Sequence, residues 1–223
     1  ININKNNKIL LPGYIGYSKK EGSGIFDQIK DTNAGYEFYK LNDDLSIDLA
    51  DFEKKIKQKE FKAALIIHYF GFYQRNFDLA LKLCKKYKKF SIEDCAHAFI
   101  SKFKNRRLGT FGDISFYSIK KFFPTANGGI LRINNDKIKI PPTLKDNIAL
   151  KTLNIFNKLS INKISNIKIK NYNYILKKIK AVKGLHPFYN SLPNGAIPIN
   201  FPVIIEKKDR NEVYFKLLEK NIK

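Results

Sequence analysis

The sequence contains no methionine and no tryptophan, only two cysteines and three histidines, and five arginines among its 42 basic residues. Each scarcity removes a class of protein. Cys84 and Cys95 are too few for a disulfide framework and form no CxxC metal pair, which points to a reducing, cytoplasmic setting. The longest apolar runs, such as "AALIIHYFGF", fall well short of the ~20 residues that a membrane helix needs, so no membrane partner is expected. The opening "ININKNNKIL" lacks the apolar stretch of a signal peptide. No GxSxG, HExxH or Walker A pattern occurs, and nothing around Cys95 and His97 resembles a cysteine hydrolase. With no methionine, a strand-like "KILLP" near the start and "LLEKNIK" at the end, the chain is expected to be an internal piece of a longer protein.

The shortage of arginine also qualifies the net charge of +22. Arginine is the preferred reader of phosphates and guanine edges, whereas the lysines here are spread through every segment beside an equally heavy use of Asn and Ile. That is a general residue bias rather than a binding stripe, and no nucleic-acid partner is expected. A basic nucleic-acid binder is the least favoured alternative, recognisable by steeply salt-dependent affinity. Hydrophobic residues make up 43%, with 18 Phe and 12 Tyr, enough for a sizeable core.

Strand-like and helix-like segments alternate. "KILLP" precedes "GIFDQIKD" and "YEFYKL". In "DLADFEKKI", Leu49, Phe52 and Ile56 recur at helical spacing behind a capping Asp48. "AALIIHYF" reads as a strand buried on both faces. "NFDLALKLCKKYKK" places Phe77, Ala80, Leu81 and Cys84 on one helical face, and "FSIED" follows as a strand. This rhythm predicts an α/β fold with a mostly parallel, doubly wound sheet. "DISFYSI" and "GGILRIN" read as two further strands, "PPT" at 141–143 as a break, and the stretch to about 182 as helix. "IPINFPVII" and "DRNEVYFKLLEKNI" read as a strand and helix of a smaller unit. The expected division is a large domain over 1–140, a helical connection over 141–185 and the start of a small domain over 186–223.

In such sheets ligands gather at the carboxyl ends of the strands. Three of those ends carry polar residues: "HYFG" (68–71), "EDCAHAF" (93–99) and "SIKK" (118–121). Asp94 is either a helix cap or a functional carboxylate, and a lone His97 is ordinarily a packed or capping residue. "GSG" at 22–24 could cradle a phosphate, although a plain turn is its commoner use. An acid at one strand end and a lysine at another are what pyridoxal 5'-phosphate requires. It needs a lysine to bind it covalently, a carboxylate to keep its pyridine nitrogen protonated, and hydroxyls and amides for its phosphate. Ser118 lies three residues before Lys121, and Gly128 and Gly129 follow.

"LLPGYIGYS", "IIHYFG", "IEDCAHAF", "LGTFGDISFYS" and "KKFFPTANGGIL" resemble, in order and spacing, the DegT/StrS-type aminotransferases. The resemblance covers residues 8–135 well and the remainder loosely. It implies the aspartate aminotransferase fold, a homodimer, and amino transfer from glutamate to a nucleotide-linked keto sugar in polysaccharide or glycan biosynthesis. It places the pyridine-nitrogen partner at Asp94, a contact to the ring or its 3-oxygen at His97, a phosphate ligand at Ser118 and a stacking aromatic at Tyr17. The family's upstream Ser-Gly-Thr phosphate turn and most of its closing domain have no counterpart here. The piece alone is therefore expected to bind the cofactor poorly and to be inactive.

Two lysines compete for the covalent role. The family's SFxxxK spacing, counted from Ser115, selects Lys120. The S-x-x-K spacing from Ser118 and the count back from the glycine pair both select Lys121, which is preferred. Strand alternation settles which residues share a face, not which lysine points inward. Some relatives replace this lysine and dehydrate sugars, a branch that a lysine at both positions argues against. A scaffold that kept the fold and lost catalysis is the other alternative.

Overall fold

The computed structural model describes residues 3–16, 23–125, 127–139, 160–206 and 209–221. Strands β1 (Lys8–Pro12), β2 (Tyr36–Tyr39), β3 (Phe61–Ile67), β4 (Phe90–Asp94), β7 (Ile114–Ser118) and β8 (Gly129–Ile133) form one sheet in the order β2-β1-β3-β4-β7-β8. Every neighbouring pair is parallel except β7 and β8, which are antiparallel and joined by the loop carrying Lys120 and Lys121. A short hairpin, β5 (Lys102–Phe103) and β6 (Arg106–Arg107), stands apart.

The sheet is covered on both faces, as the alternation of segments predicts. On one face Leu10, Ala64 and Ile66 pack against helices α2 (Leu49–Ile56) and α3 (Phe77–Lys86) through Phe52, Ile56, Phe77 and Ala80. On the other, Ile9, Leu11, Ala63, Leu65 and Ile67 meet helix α1 (Phe26–Asp31) through Phe26 and Ile29. In β3 only Lys62 is exposed, which explains its unbroken apolar run. Helix α2 starts where expected: Asp48 Oδ1 accepts from the amides of Ala50 (3.1 Å) and Asp51 (3.0 Å).

β3 ends at Ile67, earlier than "AALIIHYF" suggests. Phe70 takes a left-handed conformation (φ 57°) and Gly71 has φ +96°, so residues 69–71 make a single tight turn instead. Helix α4 (Ile161–Ile179), the antiparallel pair β9 (Leu185–Pro187) and β10 (Val203–Ile205), and helix α5 (Arg210–Glu219) complete the described chain. The "PPT" break and much of the expected connection lie outside the described residues. Among those described, no helix is long and apolar enough to cross a membrane.

Residues 195–199 are fastened onto the turn after β3. The Ile199 amide donates to the Phe70 carbonyl (2.8 Å) and the Lys102 amide to the Gly195 carbonyl (2.8 Å). Ser101 Oγ donates to the Gly71 carbonyl (2.7 Å) and accepts from the Ile197 amide (3.1 Å). A Cβ at Gly71 would overlap the Ile197 carbonyl. Gly71→Ala should therefore cost more than about 2 kcal/mol in urea unfolding, combining left-handed strain with that clash. Equal stability of variant and parent would show that this fastening does not hold the two segments together.

Candidate functional site

Parallel pairing delivers the carboxyl ends of β3, β4 and β7 to one edge of the sheet, with Ile67 beside Asp94 and Asp94 beside Phe116. A cavity of about 480 Å³ opens there, lined among others by Tyr14, Tyr69, Phe70, Asp94, His97, Lys120 and Lys121. A larger hollow of about 750 Å³ lies among Leu81, Lys82, Lys85 and Phe90. Its carboxylate, Asp113, is already bonded to Ser91 and Asn135, so it gathers lysines without a free acid.

Asp94 is 3% exposed. Its Oδ1 accepts from the Ala96 amide two residues on (2.8 Å), a tight turn that brings His97 back towards the end of β7. Among the described residues its other oxygen takes no hydrogen bond. Burial pushes the Asp94 carboxyl above its ordinary range, against the opposing pull of the Ala96 amide, Lys121 and His68. Lys121 Nζ lies 2.8 Å from His97 Nε2. Burial, and then the Lys121 charge, lower His97 to about 4, so its imidazole is neutral and accepts from the ammonium. Burial likewise lowers Lys121; Asp94 opposes that shift and Lys120 adds to it.

The sheet's other face carries a second polar group. His68 and Glu93 are fully buried, with His68 Nε2 3.0 Å from Glu93 Oε2. His68 Nδ1 accepts from the Gln74 amide (3.0 Å), which places the ring proton on Nε2. Glu93 also accepts from the amides of Gly109 (3.0 Å), Phe111 (2.8 Å) and Gly112 (2.5 Å). Although burial alone would raise its pKa, the bond from His68 and the Gly112 and Gly109 amides hold it below the ordinary range. Ligand atoms of His68, Glu93 and Cys95 lie within 4.8 Å of one another, as in a metal site. The imidazole and carboxylate are already committed, however, and burial raises the Cys95 thiol far above its usual pKa. The cluster does not suit a metal ion.

Of the residues singled out in the sequence, Asp94, His97, Lys120 and Lys121 come together around one cavity. Ser118 shares the sheet face of Asp94 by alternation from Phe116 but does not line the cavity. Tyr17 lies outside the described residues. Ser23 of the "GSG" turn serves the start of α1: its Oγ accepts from the Phe26 amide (3.1 Å) and its own amide donates to Asp27 (2.6 Å). Two residues went unread in the sequence, Tyr14 and Tyr69. The Tyr69 hydroxyl donates to the Tyr14 carbonyl (2.6 Å), and the rings meet edge-on at 5.4 Å. Each follows a strand end, β1 and β3, which is the signal that would have found them.

This donor set fits pyridoxal phosphate. A buried carboxylate with an oxygen to spare, a neutral imidazole, aromatic rings and two primary amines surround one cavity. Residues 38–188 match the model of the DegT/DnrJ/EryC1/StrS aminotransferase family. The chain belongs to that family. It is 39% identical over 98 residues to GDP-perosamine synthase of Escherichia coli O157:H7, an alignment spanning 43% of this chain and 26% of that protein. Among solved structures it resembles the aminotransferase TlmJ of Streptoalloteichus hindustanus (TM-score 0.76, 18% identity, 98% of this chain and 64% of that one). It also resembles PseC of Helicobacter pylori, an aminotransferase of pseudoaminic acid biosynthesis (TM-score 0.70, 18% identity, 97% and 64%). The chain thus matches about a quarter of that curated relative's length and covers just under two thirds of each of these two structures, whose fold it shares.

The raised Asp94 pKa has a consequence for stability. A carboxyl whose pKa is higher folded than unfolded adds stability in its protonated form, which is lost as pH rises through the folded value. Asn mimics that form and can still accept from Ala96. Asp94→Asn should therefore raise the melting temperature at pH 7, and the gain should vanish below the ordinary carboxyl range. A gain that persists unchanged in acid would assign the effect to something other than the Asp94 charge. In the unsubstituted protein, imidazole NMR should show His97 titrating near 4.

Proposed function

We propose that the full-length protein is a pyridoxal-phosphate-dependent aminotransferase that moves an amino group from glutamate to a nucleotide-linked keto sugar. The observation that carries this reading is the convergence of Asp94, His97 and the lysine pair on one cavity of a chain belonging to this family. The sugar substrate is supported by relatives such as GDP-perosamine synthase, and the glutamate donor by family resemblance alone. A homodimer in the cytoplasm belongs to the same proposal, as does a division at 1–140, 141–185 and 186–223.

Bound there, pyridoxal phosphate supplies an electron sink for the pair left when a substrate carbon loses its proton. Asp94 holds the proton on the pyridine nitrogen; that cation is what would keep so buried a carboxylate ionised. His97, uncharged, meets the ring's polar edge without adding a second positive charge. Ser118 is assigned to the phosphate and Tyr17 to the ring face. Lys121 would hold the cofactor covalently, and its Nζ would be the group that moves the proton, a task its lowered pKa favours. A second reading gives that role to Lys120, which lines the same cavity and which the SFxxxK spacing from Ser115 selects.

Borohydride reduction of the loaded full-length protein followed by peptide mass mapping decides between them. The adduct is expected on Lys121; Lys121→Ala should abolish it and lower turnover roughly 10²–10⁴-fold, while Lys120→Ala keeps both. An adduct on Lys120 transfers the assignment. No adduct on either lysine would end the aminotransferase reading. Asp94→Asn should retain bound cofactor and lose most turnover in both half-reactions.

A further inference from the structure

We infer that the buried His68–Glu93 pair positions Asp94, fixing from the opposite face of the sheet the peptide frame that aims its carboxylate into the cavity. The inference rests on Asp94 being the working carboxylate of the proposed reaction. His68 grips this frame twice. Its backbone amide donates to the Asp94 carbonyl (3.0 Å), and its Nε2–H donates to Glu93 one residue earlier. Glu93 in turn collects the amides of Gly109, Phe111 and Gly112, the loop that leads into β7 and so to the lysine pair. The Cys95 amide closes the frame on the Phe116 carbonyl (2.9 Å). One carboxylate therefore fastens three neighbouring strand ends: β3, β4 and β7.

The loop is shaped for this contact. Gly109 has φ +82°, and a Cβ there would overlap the Tyr117 side chain; a Cβ at Gly112 would press on Glu93 Cγ and the Ser91 carbonyl at 3.2 Å. Among the described residues, Asp94 itself has only the Ala96 amide bonded to its side chain. Its aim depends on where residues 93–95 lie.

Glutamine at 93 keeps the shape but turns one oxygen into an NH₂ group. That group faces either Gly109 and His68 or Phe111 and Gly112, and both sides are donors. The frame must shift. At position 68, Gln keeps an Nε2–H for Glu93 and loses only the acceptor for Gln74, whereas Leu loses both.

The test compares Glu93→Gln, His68→Leu and His68→Gln in the full-length protein, each checked for folding by circular dichroism. The readout is the ¹³C titration of the Asp94 carboxyl without cofactor, where His68, Tyr69, Cys95, His97, Lys120 and Lys121 are the titratable neighbours. Glu93→Gln and His68→Leu should displace the Asp94 midpoint from that of the parent, while His68→Gln leaves it in place despite a lower melting temperature. With cofactor, the first two should lose about a hundredfold in kcat at little-changed KM. An Asp94 midpoint unmoved in both, with only stability reduced, overturns the inference. Should those variants not fold, amide exchange in the parent decides. Gly109, Phe111 and Gly112 protected as strongly as Cys95 support one frame, and exchange many times faster at the loop overturns it. Because the titration and exchange readings need no cofactor, absence of a borohydride adduct would remove the aminotransferase reading and the working role of Asp94, while these readings still decide whether the His68–Glu93 pair positions its carboxylate.

Discussion

An ionised carboxylate taken out of water costs several kcal/mol unless hydrogen bonds replace its hydration, and Glu93 meets that demand with four donors. Those donors are contributed by His68 after β3 and by the loop before β7, so satisfying one charge ties the carboxyl ends of β3 and β4 to the start of β7. The two sides of β4 then divide the labour. Glu93 points towards the helices α2 and α3 and bonds through both oxygens within the protein, while Asp94, one residue on, points into the cavity, with one oxygen unbonded among the described residues. Alternation along a single strand separates the group bonded within the protein from the group that faces the cavity.

Burial drives Asp94, His97 and Lys121 at the cavity towards neutrality. The Asp94 carboxyl goes up, while His97 and Lys121 go down. Asp94 and Lys121 partly offset each other, and His97 shares the lysine's proton without carrying one. A site in this condition favours a ligand that brings its own positive charge to the carboxylate and leaves the amine uncharged. The protonated ring of pyridoxal phosphate, bound through a lysine, meets both requirements. On the proposed reading, the destabilising charge of Asp94 in the free protein is the same feature that would hold the protonated cofactor ring.

Much of this was legible in the sequence because it rests on local pattern. The apolar run of β3, the helical spacing and Asp48 cap of α2, and the polar strand ends holding Asp94, His97 and the two lysines are all short-range signals. What stayed hidden depends on backbone conformation or on distance. The hairpin β5–β6 has two residues per strand and turns through Lys104 and Asn105, both at positive φ, too short for alternation to register. The left-handed Phe70 ended β3 inside an apolar run that gives no sign of stopping. Glu93 reads in "FSIED" as a polar strand end, because its partners lie 16 to 25 residues away and three of its four bonds are to backbone amides of any residue type. Tyr14 and Tyr69 were passed over because aromatic residues after apolar strands look like more core.

The cavity wall also depends on the far end of the chain. Phe70 lines the cavity while its backbone sits in a conformation that costs a bulky residue about 1–2 kcal/mol. The Ile199 amide holds its carbonyl, and Ser101 holds Gly71 beside it, so segment 195–199 keeps the strained turn in place. The same segment leads through Phe201 into β10, and Phe201 packs on Tyr172 of α4 with ring centroids 4.7 Å apart. Helix α4 and β10 are therefore linked to Phe70 through direct contacts and one hydrogen bond that do not pass through the sheet. The edge built by Glu93 fixes where Asp94 stands, and this second set of contacts fixes how much room lies in front of it.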